Sequence, residues 1–129
     1  MKGRTLVLFT VGLTAIASTA KAEEVSLSKD LMPIFARSCT GCHQREGGNP
    51  HAVEAGVYLE KKEDLLKPKR GLIIAGKPEA SFLLTVLNPP KDMGSKVKTM
   101  PPARSDKPKL SKEEIQKIYD WIKAGARDN

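Results

Sequence analysis

The run Cys39-Thr40-Gly41-Cys42-His43 is the part of this sequence whose residue types and spacing can do chemistry. Two thiols separated by two residues, with an imidazole directly after them, form the attachment signature of a c-type haem. Each thiol adds to one vinyl group of the porphyrin and becomes a thioether. Two intervening residues let one turn of chain reach both vinyls. The next side chain, His43, then lies under the iron and offers it a ring nitrogen. A tether of this kind keeps the cofactor where a free one would be lost by dilution.

Three other chemistries use the same residue types. A redox-active C-x-x-C of the thioredoxin kind sits in a βαβ pattern, and no strand-like alternation precedes Cys39. A zinc site needs four ligands, but the chain has no other cysteine and His51 is its only other histidine. A structural disulfide leaves the adjacent histidine unexplained. The thiols and His43 therefore read as the attachment points and proximal ligand of one haem c.

The ligand on the opposite face decides what such an iron does. A six-coordinate iron moves electrons, whereas an open position binds gases or does chemistry. The candidates after His43 are His51, Met93, Met100 and the lysines. Met100 stands in Lys98-Thr99-Met100-Pro101-Pro102, 57 residues beyond His43. That length of chain can pass round the porphyrin edge and return on the other side, and the prolines stiffen the loop that presents the thioether. Met93 lies beside Gly94 in a more flexible stretch and is the second choice. His51 follows His43 too closely to cross the porphyrin plane and reads as an exposed loop residue. Met32 precedes the attachment site on a helix and reads as core packing.

Helices must position these groups. Ser111 and Glu114 form a capping box that opens the last helix, with Leu110 and Ile115 as its hydrophobic staple. Ile115, Ile118, Tyr119 and Ile122 make its buried stripe, with Trp121 at the shoulder, and Gly125 stops it. An earlier helix carries Leu31, Ile34, Phe35 and Ser38 on one face and runs into Cys39, with Pro33 in its first turn. Phe35 is expected to meet Tyr119 or Trp121 where the two helices cross. Lys61 to Leu66 and Pro78 to Leu87 are shorter helical candidates, the second with an apolar set of Phe82, Leu83, Val86 and Leu87. Five prolines between Asn88 and Pro108 make that stretch a loop.

The order of these pieces resembles the planctomycete-type cytochrome c domain, a compact relative of the soluble class I mono-haem cytochromes. The resemblance runs from about Asp30 to Ala126. It rests on Leu31-Met32-Pro33-Ile34-Phe35 leading into the C-x-x-C-H run, Gly56-Val57-Tyr58-Leu59, Gly76-Lys77-Pro78-Glu79-Ala80-Ser81-Phe82-Leu83, Met100-Pro101-Pro102 and the capped final helix. It implies that Met100 is the distal ligand. The lysine-rich segment before Met100, and Arg104 in place of glycines common after the M-P-P, depart from the family pattern.

Residues 1–22 are expected to be a cleaved export signal. Lys2 and Arg4 precede an uncharged run from Thr5 to Ala20, and small residues stand at 20 and 22. Sixteen uncharged residues fall short of the roughly 20 that span a bilayer. Residues 23–129 then form one domain, periplasmic or otherwise outside the cytoplasm, with no stable membrane insertion. Its nineteen basic and fifteen acidic side chains are unevenly spread, with seven basic against two acidic between 91 and 112. Lys91, Lys96, Lys98, Arg104, Lys107 and Lys109 are the expected docking surface for acidic redox partners. Aromatics are only 5% of the chain, too few to stack on the bases of a nucleic acid.

The resulting expectation is an all-α, small cytochrome c-like fold, with three to five helices and long loops around one covalently attached haem. Cys39 and Cys42 hold the porphyrin, and His43 and Met100 hold the iron. The chain carries electrons between redox proteins and is not an enzyme, because acid–base groups for catalysis are nearly absent. Two alternatives stay open, a haem-bearing subunit of a larger oxidoreductase and a haem enzyme or gas binder with a labile distal site.

Overall fold

The computed structural model describes residues 23–129. The expected export signal lies outside the described residues. Among these residues there are helices and turns and no strand, so the described part is all-α. No helix among them is long and apolar enough to cross a membrane.

The chain enters through a π-helical turn, Leu27–Leu31, that runs directly into α1, Met32–Ser38. The Ser26 hydroxyl accepts the Lys29 N–H, and the Asp30 carboxylate accepts the Ser26 N–H at 2.8 Å. This reciprocal cap begins the helical segment earlier than the apolar spacing alone indicates. Pro33 sits in the first turn of α1, where its fixed φ suits the helix. Ile34, Phe35 and Ser38 are buried, as their spacing predicts.

Helix α2, Pro50–Glu54, is absent from the pattern reading. It is short, but Asn49 caps it and Pro50 opens it, a legible start signal. Helix α3, Lys62–Leu66, lies where expected. The segment 78–87 is not one helix. A 3-10 turn, Pro78–Ala80, ends at Ser81, whose backbone is extended, and α4 begins at Phe82 and runs to Leu87. The break is stabilised by the buried Ser81 hydroxyl, which accepts the Ile74 N–H at 2.8 Å and donates to the Lys77 carbonyl at 2.9 Å. The proline-rich stretch is loop apart from a 3-10 segment, Lys91–Lys96, kinked at Gly94.

The last helix, α5, spans Lys112–Lys123. Both arms of its capping box form, Glu114 N–H to the Ser111 hydroxyl at 3.1 Å and Ser111 N–H to the Glu114 carboxylate at 2.9 Å. Gly125 ends it with φ +106°. Its buried face is turned relative to the expected stripe. Ile118, Trp121 and Ile122 are buried, while Tyr119 reaches the surface and donates its hydroxyl to Glu79. The indole N–H of Trp121 donates to the Arg127 carbonyl at 2.8 Å. This contact satisfies the polar atom that would otherwise keep the ring out of the core.

Leu27, Leu31, Ile34 and Phe35 from the first helical segment pack with Ile118, Trp121 and Ile122 from α5 in one buried cluster. Phe35 and Trp121 share that cluster, but the segment meeting α5 is the Leu27–Leu31 turn. At the surface Arg37–Glu114 at 2.8 Å ties α1 to α5, and Lys117–Asp30 at 3.5 Å ties the Leu27–Leu31 turn to α5. Leu59, Leu65, Leu72, Ile73, Leu83 and Leu87 belong to the same cluster, as does Cys39 of the C-x-x-C-H run.

Candidate functional site

The C-x-x-C-H run continues the last turn of α1. The N–H groups of Cys39 and Thr40 both donate to the Phe35 carbonyl, at 2.8 and 2.9 Å. Gly41 then takes φ +103°, a left-handed value that favours glycine, and its N–H donates to the Gln44 side chain at 2.9 Å. His43 N–H donates to the Cys39 carbonyl at 3.1 Å. The chain next doubles back so closely that a Cβ on Gly48 would lie 2.1 Å from the Gln44 carbonyl oxygen. Asn49 N–H donates to the Cys42 carbonyl at 2.8 Å and closes this turn.

Cys39 and Cys42 are unpaired, the first buried and the second half-buried. Burial pushes the Cys39 thiol up to about 12. This shift is the opposite of the lowered pKa that activates a catalytic thiol. Among the described residues, no three His, Cys, Asp or Glu side chains group as a metal site.

The His43 ring faces a carbonyl that sequence alone does not identify. Nδ1 lies 3.2 Å from the Val57 oxygen. A carbonyl only accepts, so the contact is a hydrogen bond when Nδ1 carries the proton, and Nε2 then keeps its lone pair. Val57 is held by its own N–H to the Ala52 carbonyl at 3.0 Å, and Leu59 N–H returns to the His43 carbonyl at 2.9 Å.

Cys39, Cys42, His43 and Met100 line one cleft of about 580 Å3. This volume is in the range of cofactor sites, roughly 300–1,000 Å3. Its remaining walls are mainly apolar, from Val57 and Leu59 on the His43 side to Leu83, Val86 and Leu87 on α4. Met100 is anchored to α4 by one main-chain bond, its N–H to the Val86 carbonyl at 2.8 Å. Pro101 behind it is buried. Phe82, expected in the core, is 51% exposed and lines the cleft instead, because the break at Ser81 turns α4.

The charge of the cleft has one sign. Lys98, Arg104 and Lys107 line it, and no Asp or Glu does. Lys107 folds back onto the C-x-x-C-H turn, with its ammonium 3.1 Å from where a Gly41 Cβ would stand. Lys91, Lys96 and Lys109 are exposed and lie outside the cleft lining.

The other ligand candidates separate clearly. Met93 is 39% exposed and does not line the cleft, and Met32 packs against the core. His51 stands at the cleft on α2, not on a loop, with a side chain 94% exposed and its Nδ1 4.0 Å from Glu54. The Val57 carbonyl, Gly48 and Phe82 are parts of the site that sequence reasoning missed. Only Gly48 had a local signal, as the second of two glycines soon after the motif. Compared with family models, curated proteins and solved structures, the chain finds no match in any of the three.

Proposed function

We propose that this chain is an exported mono-haem c-type cytochrome that carries single electrons between redox proteins, on a small cytochrome c-like fold. The observation that carries the reading is the convergence of the two free thiols, the His43 imidazole and the Met100 thioether on a single, mainly apolar cleft. The likeness in motif order to the planctomycete-type cytochrome c domain supports it as well.

The donor set fits the group. Cys39 and Cys42 would hold the porphyrin, and His43 Nε2 and the Met100 sulfur would hold the iron. Apolar walls suit a flat macrocycle, and the cationic side chains suit its carboxylates. Bound there, the haem supplies a one-electron ferric/ferrous couple, with a raised potential when the ligands are Met and His.

The chain's own residues do the rest. Val57 fixes the orientation of His43 through its carbonyl, as such outer partners do in metal sites. Val86, Leu83 and Leu87 exclude water from the Met100 side, and a drier site favours the less charged ferrous state. Lys98, Arg104 and Lys107 present positive charge at the cleft, where an acidic partner would dock in a brief encounter. Added salt screens such attraction beyond about 10 Å at 0.1 M.

Intact mass and optical spectra of the purified protein test the reading. The expected result is one covalently bound haem, a sulfur–iron charge-transfer band in the ferric form, and a ferrous spectrum unmoved by carbon monoxide. A ferrous high-spin haem that binds carbon monoxide at once would replace the carrier with a gas-binding or catalytic protein. A mass without haem would remove the reading altogether.

A further inference from the structure

Arg45 follows His43 by two residues, yet its side chain is spent on the segment that carries the Val57 carbonyl. Its guanidinium lies over the Tyr58 ring, 4.4 Å from the centroid. One amino group donates to Asp64 at 2.6 Å, and the other to Glu60 at 3.1 Å and to Asp64 at 3.2 Å. Asp64 also accepts the Lys61 N–H at 3.0 Å, so one carboxylate joins Arg45 to the start of α3. Arg forks of this kind fix geometry as well as charge.

These contacts alternate with those of His43. Residues 43–45 meet 57–64 through the His43 ring on the Val57 carbonyl, the His43 carbonyl on Leu59 N–H, and the Arg45 fork on Tyr58, Glu60 and Asp64. Without the fork, Val57 keeps its N–H bond to the Ala52 carbonyl and the contact with the His43 ring, but residues 58–64 lose every tie to the side chain at 45. A 3.2 Å bond at the long end of the normal range weakens steeply with small displacements.

We propose that Arg45 is a positioning residue that holds the Val57 carbonyl on the His43 Nδ1–H and so sets how strongly His43 donates to a bound iron. The inference rests on the haem reading for its redox consequence but not for the geometry at His43. A hydrogen bond at Nδ1 makes Nε2 a stronger donor. A stronger donor favours ferric iron. Loosening the bond therefore raises the midpoint potential.

The test compares 15N-labelled full-length wild type with Arg45→Ala, Arg45→Lys and the control Arg127→Ala, which breaks a surface pair with Glu24. Two quantities are read, solvent exchange of the His43 Nδ1 proton and the midpoint potential. In Arg45→Ala, exchange is expected to rise about tenfold, the scale of one lost hydrogen bond, and the midpoint potential is expected to rise above that of wild type. Arg45→Lys should fall between and Arg127→Ala should match wild type. Unchanged exchange in Arg45→Ala overturns the proposal, as does an equal change in Arg127→Ala. If Arg45→Ala does not fold, Arg45→Lys decides by the same criterion. A wild type without haem would defeat the functional reading alone. The 15N shifts of His43 would then decide, with Nδ1–H expected in wild type and a mixture with Nε2–H in Arg45→Ala.

Discussion

The two sides of the cleft are built differently. Around His43, main-chain bonds from Phe35, Cys39, Cys42, Ala52 and Leu59 fix nearly every residue from 39 to 59 that matters, and the Arg45 fork adds side-chain support. Around Met100, a single main-chain bond to Val86 and a buried proline do the holding. One wall is defined by hydrogen bonds and the other by proline stiffness and apolar contact. The difference teaches that the fold holds the His43 segment by more hydrogen bonds than the Met100 segment.

If the proposed haem is bound, the largest effects should come from its proposed ligands. His43→Ala is expected to abolish the low-spin haem, whereas Met100→Ala should keep the attached haem and admit carbon monoxide. Met93→Ala should do neither. Optical spectra read all three, and a charge-transfer band surviving in Met100→Ala would break the comparison.

Backbone packing gives a smaller, sharper contrast. A Cβ at Gly48 meets the Gln44 carbonyl, whereas one at Gly94 meets nothing within 4 Å. Gly48→Ala should therefore cost about 2–3 kcal/mol, the scale of an overpacked site. Gly94→Ala should cost at least about 1 kcal/mol, through its positive φ alone and with no clash to add. Urea unfolding of both variants measures the gap, and equal losses would mean that the His43 wall is no tighter than the other.

Acid should weaken the His43 side through Asp64. The Arg45 hydrogen bond, the largest influence, holds the Asp64 carboxyl below its ordinary value of 3.8. A group depressed in the folded state stabilises it fully above the ordinary value and loses that contribution as pH falls through the depressed one. Stability should thus decline below about pH 4. In Asp64→Asn the decline should be shallower, with a loss of about 1–2 kcal/mol already present at pH 7. Denaturant midpoints at several pH values read this directly.

The two walls also differ in how far they were legible in the sequence. The C-x-x-C-H run, the M-P-P and the capping box are local signals, and the elements they imply lie where the spacing puts them. Ser81 was opaque because its hydroxyl replaces helix bonds with contacts to Ile74 and Lys77. That exchange splits an apolar run which by period alone reads as one helix. Trp121 entered the core in place of Tyr119 because the Arg127 carbonyl satisfied its N–H, a contact beyond the end of the helix. The Val57 carbonyl was invisible for a simpler reason. Every residue has one, and only the folded path selects which carbonyl faces His43.

The cleft draws its walls from residues 38–59 and from residues 72–107. Neither stretch alone encloses it, so the cleft exists only once the two have met, and it is a product of long-range folding. If a haem is attached at Cys39 and Cys42 as proposed, it would be the surface on which the second stretch closes.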